Sequence, residues 1–439
     1  MVKGDTGGAT GSYLLAVQTP VYRLSDTSFA IESAFSHHLK ELREQFAGRV
    51  SKFVIIAPEM SADRYRPDTM ATIDAEDGIT LVPAHPDDVS VKAFWTQHAA
   101  RMWREVNACI ADARVVHSGL ASDLWRPTMM IVNLAAWRRR KPLMFIIDID
   151  FRNNTRRLRK MRVWGLKSYL TNRLFHDPVR WLQVFFTVRI SRLALLKGPG
   201  LVRDFGAGKP HVKNFLDTAF SAEQVLTADE LDARVARLEN ESGPLQLVYF
   251  GRLVPYKGLH LAIDAIKIAT AKGDDVRLTI IGEGPCLLDL RRQVRDARLS
   301  GSVTFLPAVP YGKPLFDLLS HYHASIACPL MEDTPRATID SMARGLPVLA
   351  FDLDYFKGLS EIGGAVTTAQ WPDAGKLAET FARMSVDRPE LIAQTRRAVD
   401  FARANTQQIW LERRRAWVEE YLFDEEPGPV LHKPEGAFA

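Results

Sequence analysis

The feature that most narrows the folds open to this chain is an alternation in its second half. Short, unbroken apolar runs recur between helical stretches. The runs are "LQLVYF" (245–250), "VRLTIIG" (276–282), "SVTFL" (302–306), "ASIACPL" (324–330) and "PVLAF" (347–351). Between them lie an amphipathic stretch, "LHLAIDAIKIATAK", and helices expected over 286–297, 313–321 and 335–344. Apolar runs of this length, alternating with helices, belong to parallel strands covered on both faces. The fold class is therefore α/β and doubly wound, with ligands expected at the carboxyl ends of the strands. The first half repeats the pattern less cleanly, in "YLLAV" (13–17), "KFVIIA" (52–57), "ITLVP" (79–83), "RVVHSG" (114–119) and "LMFIIDI" (143–149). Two domains, 1–215 and 216–406, follow. Their boundary is expected near 214–244, where "LTADELDARVARLENESGP" reads as a helix and a polar linker. The tail at 423–439 is rich in Pro and Gly and is expected to be disordered.

Charge divides along the same line. Residues 1–215 hold 32 Lys and Arg against 20 Asp and Glu, and residues 216–439 hold 25 against 32. The basic half suits phosphates on a membrane, a lipid or a nucleic acid. Cys109, Cys286 and Cys328 are an odd, scattered set with no zinc or disulfide spacing, which favours a reducing, cytoplasmic setting. The opening "MVKGDTGGATGS" lacks the apolar stretch of a secretory signal. "WLQVFFTVRISRLALL" (181–196) is interrupted by Arg189 and Arg192 and is too short to span a bilayer.

Three stretches carry candidate chemistry. In "MEDTPRATIDSMARGLPVLAFD" (331–352), Thr334 suits a helix N-cap and Pro335 the first helical position; Gly345 and Pro347 suit the stop. Free amides at such a helix start attract anions, with Glu332 just outside and Asp340 two turns in. Asp340 is also four residues from Arg336 and Arg344, so an ordinary surface ion pair is the competing reading. In "FGRLVPYKG" (250–258), Gly251 permits a tight turn, and Arg252 and Lys257 emerge from one strand-end loop. Two such cations can hold a diphosphate and stabilise a leaving group; alone they read as a solvated loop. "IIGEGP" (280–285) has Gly282 and Gly284, but Leu287 stands where a third glycine would complete a dinucleotide fingerprint. "GGATGS" (7–12) precedes its strand, the wrong order for a phosphate loop.

In this order, over about 244–352, these segments resemble the retaining, nucleotide-sugar-dependent glycosyltransferases of the GT-B fold, specifically the group 1 (family four) class. "KNFLDTAF" (213–220) is a weaker likeness to that family's interdomain segment. The resemblance implies two Rossmann-like domains facing a cleft, donor on the second and acceptor on the first, with 407–422 crossing back to the first. Gly251, Arg252, Lys257, Gly282, Glu332, Thr334, Arg336, Ala337 and Asp340 would bind the donor. Arg252 and Lys257 would hold the diphosphate, Glu332 would contact the transferred sugar, and Asp340 would take the ribose hydroxyls. No cofactor beyond the nucleotide-diphosphate sugar, and no obligatory metal, is implied.

The chain departs from the pattern in places. Asp340 replaces a Glu, Thr334-Pro335 replaces Phe-Gly, and "QTPVYRLSD" (18–26) replaces a glycine loop. Asp148 stands where the family often has a catalytic-side His, and with Asp150 it offers only weak grounds for a metal. Residues 151–200 hold 12 Lys and Arg and one acid, Asp177, interleaved with aromatics. Arg156, Arg157, Arg159, Lys160 and Trp164 in that segment suit an anionic membrane surface or a lipid diphosphate acceptor; a solvated helical face is the plainer alternative. No nucleic-acid reading motif is present. The expected activity is sugar transfer in lipid-linked or envelope glycan assembly, at the inner face of the cytoplasmic membrane. The rival readings are an epimerase on the same fold and a degenerate, non-catalytic nucleotide-sugar binder.

Overall fold

The computed structural model describes residues 11–423. The tail beyond 423 and the first part of "GGATGS" lie outside the described residues. Two parallel sheets organise the chain. In the second, strands Leu245–Phe250, Val276–Ile281, Val303–Leu306, Ala324–Ala327 and Val348–Phe351 fall on the five apolar runs, and Val366–Ala369 adds an edge. Leu245–Phe250 pairs with Ala324–Ala327 at the centre, and the chain winds outward to either side of that pair. The winding therefore reverses there, which leaves a crevice at the carboxyl ends of the two central strands.

The first sheet has seven parallel strands. Ser12–Ala16 lies beside Ala113–Gly119, and winding reverses between them. Lys52–Glu59 and Ile79–Pro86 extend one side; Leu143–Ile147, Leu193–Leu196 and Val212–Asn214 extend the other. The sequence did not single out the last two strands. "WLQVFFTVRISRLALL" resolves into the end of helix Asp177–Ile190 and the strand Leu193–Leu196. The segment "QTPVYRLSD" opens a three-stranded antiparallel sheet, Tyr22–Arg23, Phe29–Glu32 and Met70–Ile73. Its strands are too short for their alternation to stand out.

Each sheet has its own core. Phe215 is buried in the first and the next residue, Leu216, in the second. Helix Ala228–Asn240 buries Leu231, Val235 and Leu238 in the second core. Its start is fixed by a reciprocal cap, in which the Glu230 N–H donates to the Thr227 hydroxyl and the Thr227 N–H to the Glu230 carboxylate. Helix Gln407–Val418 and the turn Glu419–Phe423 place Val418, Leu422 and Phe423 in the first core. Among the described residues no helix is long and apolar enough to cross a membrane.

Candidate active site between the two sheets

The crevice in the second sheet opens into a cavity of about 370 Å3. Gly251, Arg252 and Lys257 line one wall, and Thr334, Arg336 and Ala337 another. The loop that carries Arg252 and Lys257 runs close against its neighbours. Gly258 has φ +67°, and a Cβ there would lie 2.1 Å from the Cys328 carbonyl oxygen, so only glycine fits. A second cavity of about 340 Å3 shares Gly251 and Arg252 and continues past Gly282, Val309 and Tyr311. Gly282 is required there by backbone packing, since a Cβ would lie 2.0 Å from the Gly251 carbonyl oxygen.

Thr334 is not an N-cap; Pro335 holds that place, and the helix spans only Arg336–Met342. The Thr334 hydroxyl instead reaches the other domain and donates to the Asp148 carbonyl at 3.1 Å. The Thr334 N–H donates to Asp333 at 3.1 Å. Asp333 also forms an ion pair with Lys257, so the lysine already faces a carboxylate across the cavity. Sequence reasoning passed over Asp333, although a third acid beside Glu332 was there to be seen.

Glu332 does not line the cavity. Its side chain is fully enclosed, accepting hydrogen bonds from the N–H groups of Asp354 and Tyr355 and pairing with Arg157 of the first domain. Asn154, which shares the first-domain helix Asn154–Lys160 with Arg157, accepts from the Glu332 N–H at 3.0 Å. Burial pushes the Glu332 carboxyl up to about 7, against the opposing pull of Arg157. Arg157 is correspondingly not a surface cation. It leans toward Asp354 and over the Trp371 ring, which Lys160 also faces at 5.1 Å. Arg156, Arg159 and Lys160 are exposed, and Trp164 is half-buried.

Asp340 is buried, and its Oδ1 has no hydrogen-bond partner. Desolvation raises its carboxyl to about 7, with Arg336 and the Tyr311 hydroxyl opposing that shift. The competing ion pair with Arg344 does not form, because the Arg344 guanidinium donates to the Ser320 hydroxyl. On the first-domain side, Asp148 is open to the cleft yet deep enough that desolvation raises its pKa. Lys197, which the sequence did not flag, is buried in the cavity wall 3.7 Å from Asp217, and burial lowers its pKa. Asp150 is committed to Arg152, so the two aspartates of "DID" serve different partners.

The described chain aligns along almost its whole length with the Anabaena protein Alr3699/HepE, crystallised with UDP and also with UDP-glucose. With UDP the TM-score is 0.58 at 12% identity, covering 93% of this chain and 99% of that one. The fold is GT-B. Within this GT-B chain, residues 232–396 match the family described as "Glycosyl transferases group 1". The 2-deoxystreptamine glucosyltransferase of Streptomyces kanamyceticus is 25% identical over 178 residues, 38% of this chain and 45% of that protein. The amylovoran biosynthesis glycosyltransferase AmsK of Erwinia amylovora is 29% identical over 154 residues, 34% of this chain and 38% of that protein. The chain thus spans less than half the length of these curated relatives. The matched segment contains the stretch over 244–352 whose motifs resemble the same class.

Proposed function

We propose that this protein transfers a sugar from a nucleotide-diphosphate donor to a glycan acceptor, with retention of anomeric configuration and without a required metal. The observation that carries the reading is the cavity at the winding reversal of the second sheet, where Arg252, Lys257 and Arg336 surround one volume. Fixed cations there match the charge that develops on a departing diphosphate. Asp340 and Tyr311, beside the adjoining cavity, suit the nucleoside end. The acceptor enters from the first domain, where Asp148 and Lys197 orient its hydroxyl. Glu332 acts by anchoring the loop 330–336 rather than by touching sugar. The names of the relatives support a place in polysaccharide assembly, and a lipid-linked or envelope acceptor is part of the same proposal.

The test is calorimetric titration with UDP, GDP, ADP and dTDP, with and without magnesium. Wild type should bind one of them equally in both conditions, and Arg252→Ala/Lys257→Ala should weaken it at least tenfold. Binding that needs magnesium would remove the metal-free part of the reading. Equal binding by the variant would move the donor elsewhere.

A further inference from the structure

Residues 166–190 form one continuous helical rod, Leu166–Thr171, a wider turn at Asn172–His176, and Asp177–Ile190, with helical backbone at both joints. Its outer face is apolar. Leu166, Leu170, Leu174, Leu182 and Phe186 are 58%, 43%, 73%, 59% and 41% exposed. They recur at four-residue steps, with Pro178 in the remaining place. In a uniform α-helix such a repeat drifts by about 40° per step. The wider turn, with its i→i+5 bonding, takes up part of that drift and keeps the leucines on one side. Phe175, 48% exposed, stacks on Trp125, and Phe186 packs edge-on against Trp137, so the stripe broadens into the neighbouring helix and loop.

Cations border the stripe. Arg162, Lys167, Arg173 and Arg189 are exposed. The one acid of residues 151–200, Asp177, is turned inward and accepts from the Thr155 hydroxyl at 2.9 Å. An exposed apolar stripe of this extent needs an occupant. A protein partner would leave the bordering cations to find carboxylates one by one, whereas an anionic bilayer satisfies leucines and cations together. We propose that this face lies on a membrane surface rich in anionic lipid, leucines in the acyl boundary and cations at the headgroups. The inference relocates the contact from Arg156–Lys160 to the rod that follows. It does not depend on the transfer reaction, because vesicle binding is read without substrates.

The experiment is co-sedimentation of the full chain with vesicles of phosphatidylglycerol and phosphatidylcholine, and with phosphatidylcholine alone. Wild type should bind the anionic vesicles and lose most of that binding at high salt. Leu170→Ser/Leu174→Ser/Leu182→Ser should reduce it at least tenfold, and Lys167→Glu/Arg173→Glu similarly. Because these side chains are exposed, an unchanged thermal melting midpoint in both variants serves as the folding control. Absence of wild-type binding, or equal binding by the leucine variant, overturns the proposal. So does a concentration-dependent dimer in light scattering that the leucine variant abolishes, which would give the face to a second copy of the chain.

Discussion

Asp333 holds the cation that a diphosphate would need. Its pairing with Lys257 pre-positions the ammonium but sets a carboxylate where phosphate oxygens would come. Asp333→Asn should therefore raise, about fivefold, the affinity for the nucleoside diphosphate that binds, the worth of roughly 1 kcal/mol for a partly exposed ion pair. Calorimetry on that variant decides it, and an unchanged constant would mean that the diphosphate does not meet Lys257. Asp340 gives a second residue-scale expectation. Its folded pKa, about 7, lies above its ordinary 3.8, so between these values the folded state holds the extra proton. Stability from this group is present at low pH and declines as pH rises through that window, by up to about 1.4 kcal/mol per unit. Asp340→Asn should flatten that slope in denaturation series run at several pH values; a slope equal to wild type would show the carboxyl titrating normally. The acid spacing that suggests Asp340 is legible in sequence. Its burial is not, because the Tyr311 hydroxyl comes from a different loop.

The loop 330–336 is held from outside the second domain, by Arg157 and Asn154 at Glu332 and by Asp148 at Thr334. Breaking one side of a buried pair leaves the other charge uncompensated, which is costly. Arg157→Ala and Glu332→Ala should each lower sugar transfer by about a hundredfold, with nucleotide binding within about threefold of wild type. Because both act on one loop, the double variant should be no slower than either single one. Losses that multiply in the double variant would show two separate roles. At this scale the sequence was most informative where strands are covered on both faces, as in Leu245–Phe250 and Val348–Phe351. It was least informative for Leu193–Leu196, where a helix and a strand run together across Arg192 with one polar residue, Ser191, before it. Arg157 read as a surface cation because its partner lies 175 positions away.

Across the whole molecule, the two parallel cores and the acid-containing loop between them could be anticipated. The contacts joining the domains could not, since they depend on which faces meet. Among the described residues the chain passes between domains twice, at Phe215–Leu216 and again where Trp410 packs against both cores. These two passages touch, for the Gln407 N–H donates to the Phe220 carbonyl at 3.0 Å. Joined in this way they form a single pivot rather than two independent tethers. Connectivity of this kind lowers the orientational freedom that two separate domains would have to lose in order to face one another across the cleft.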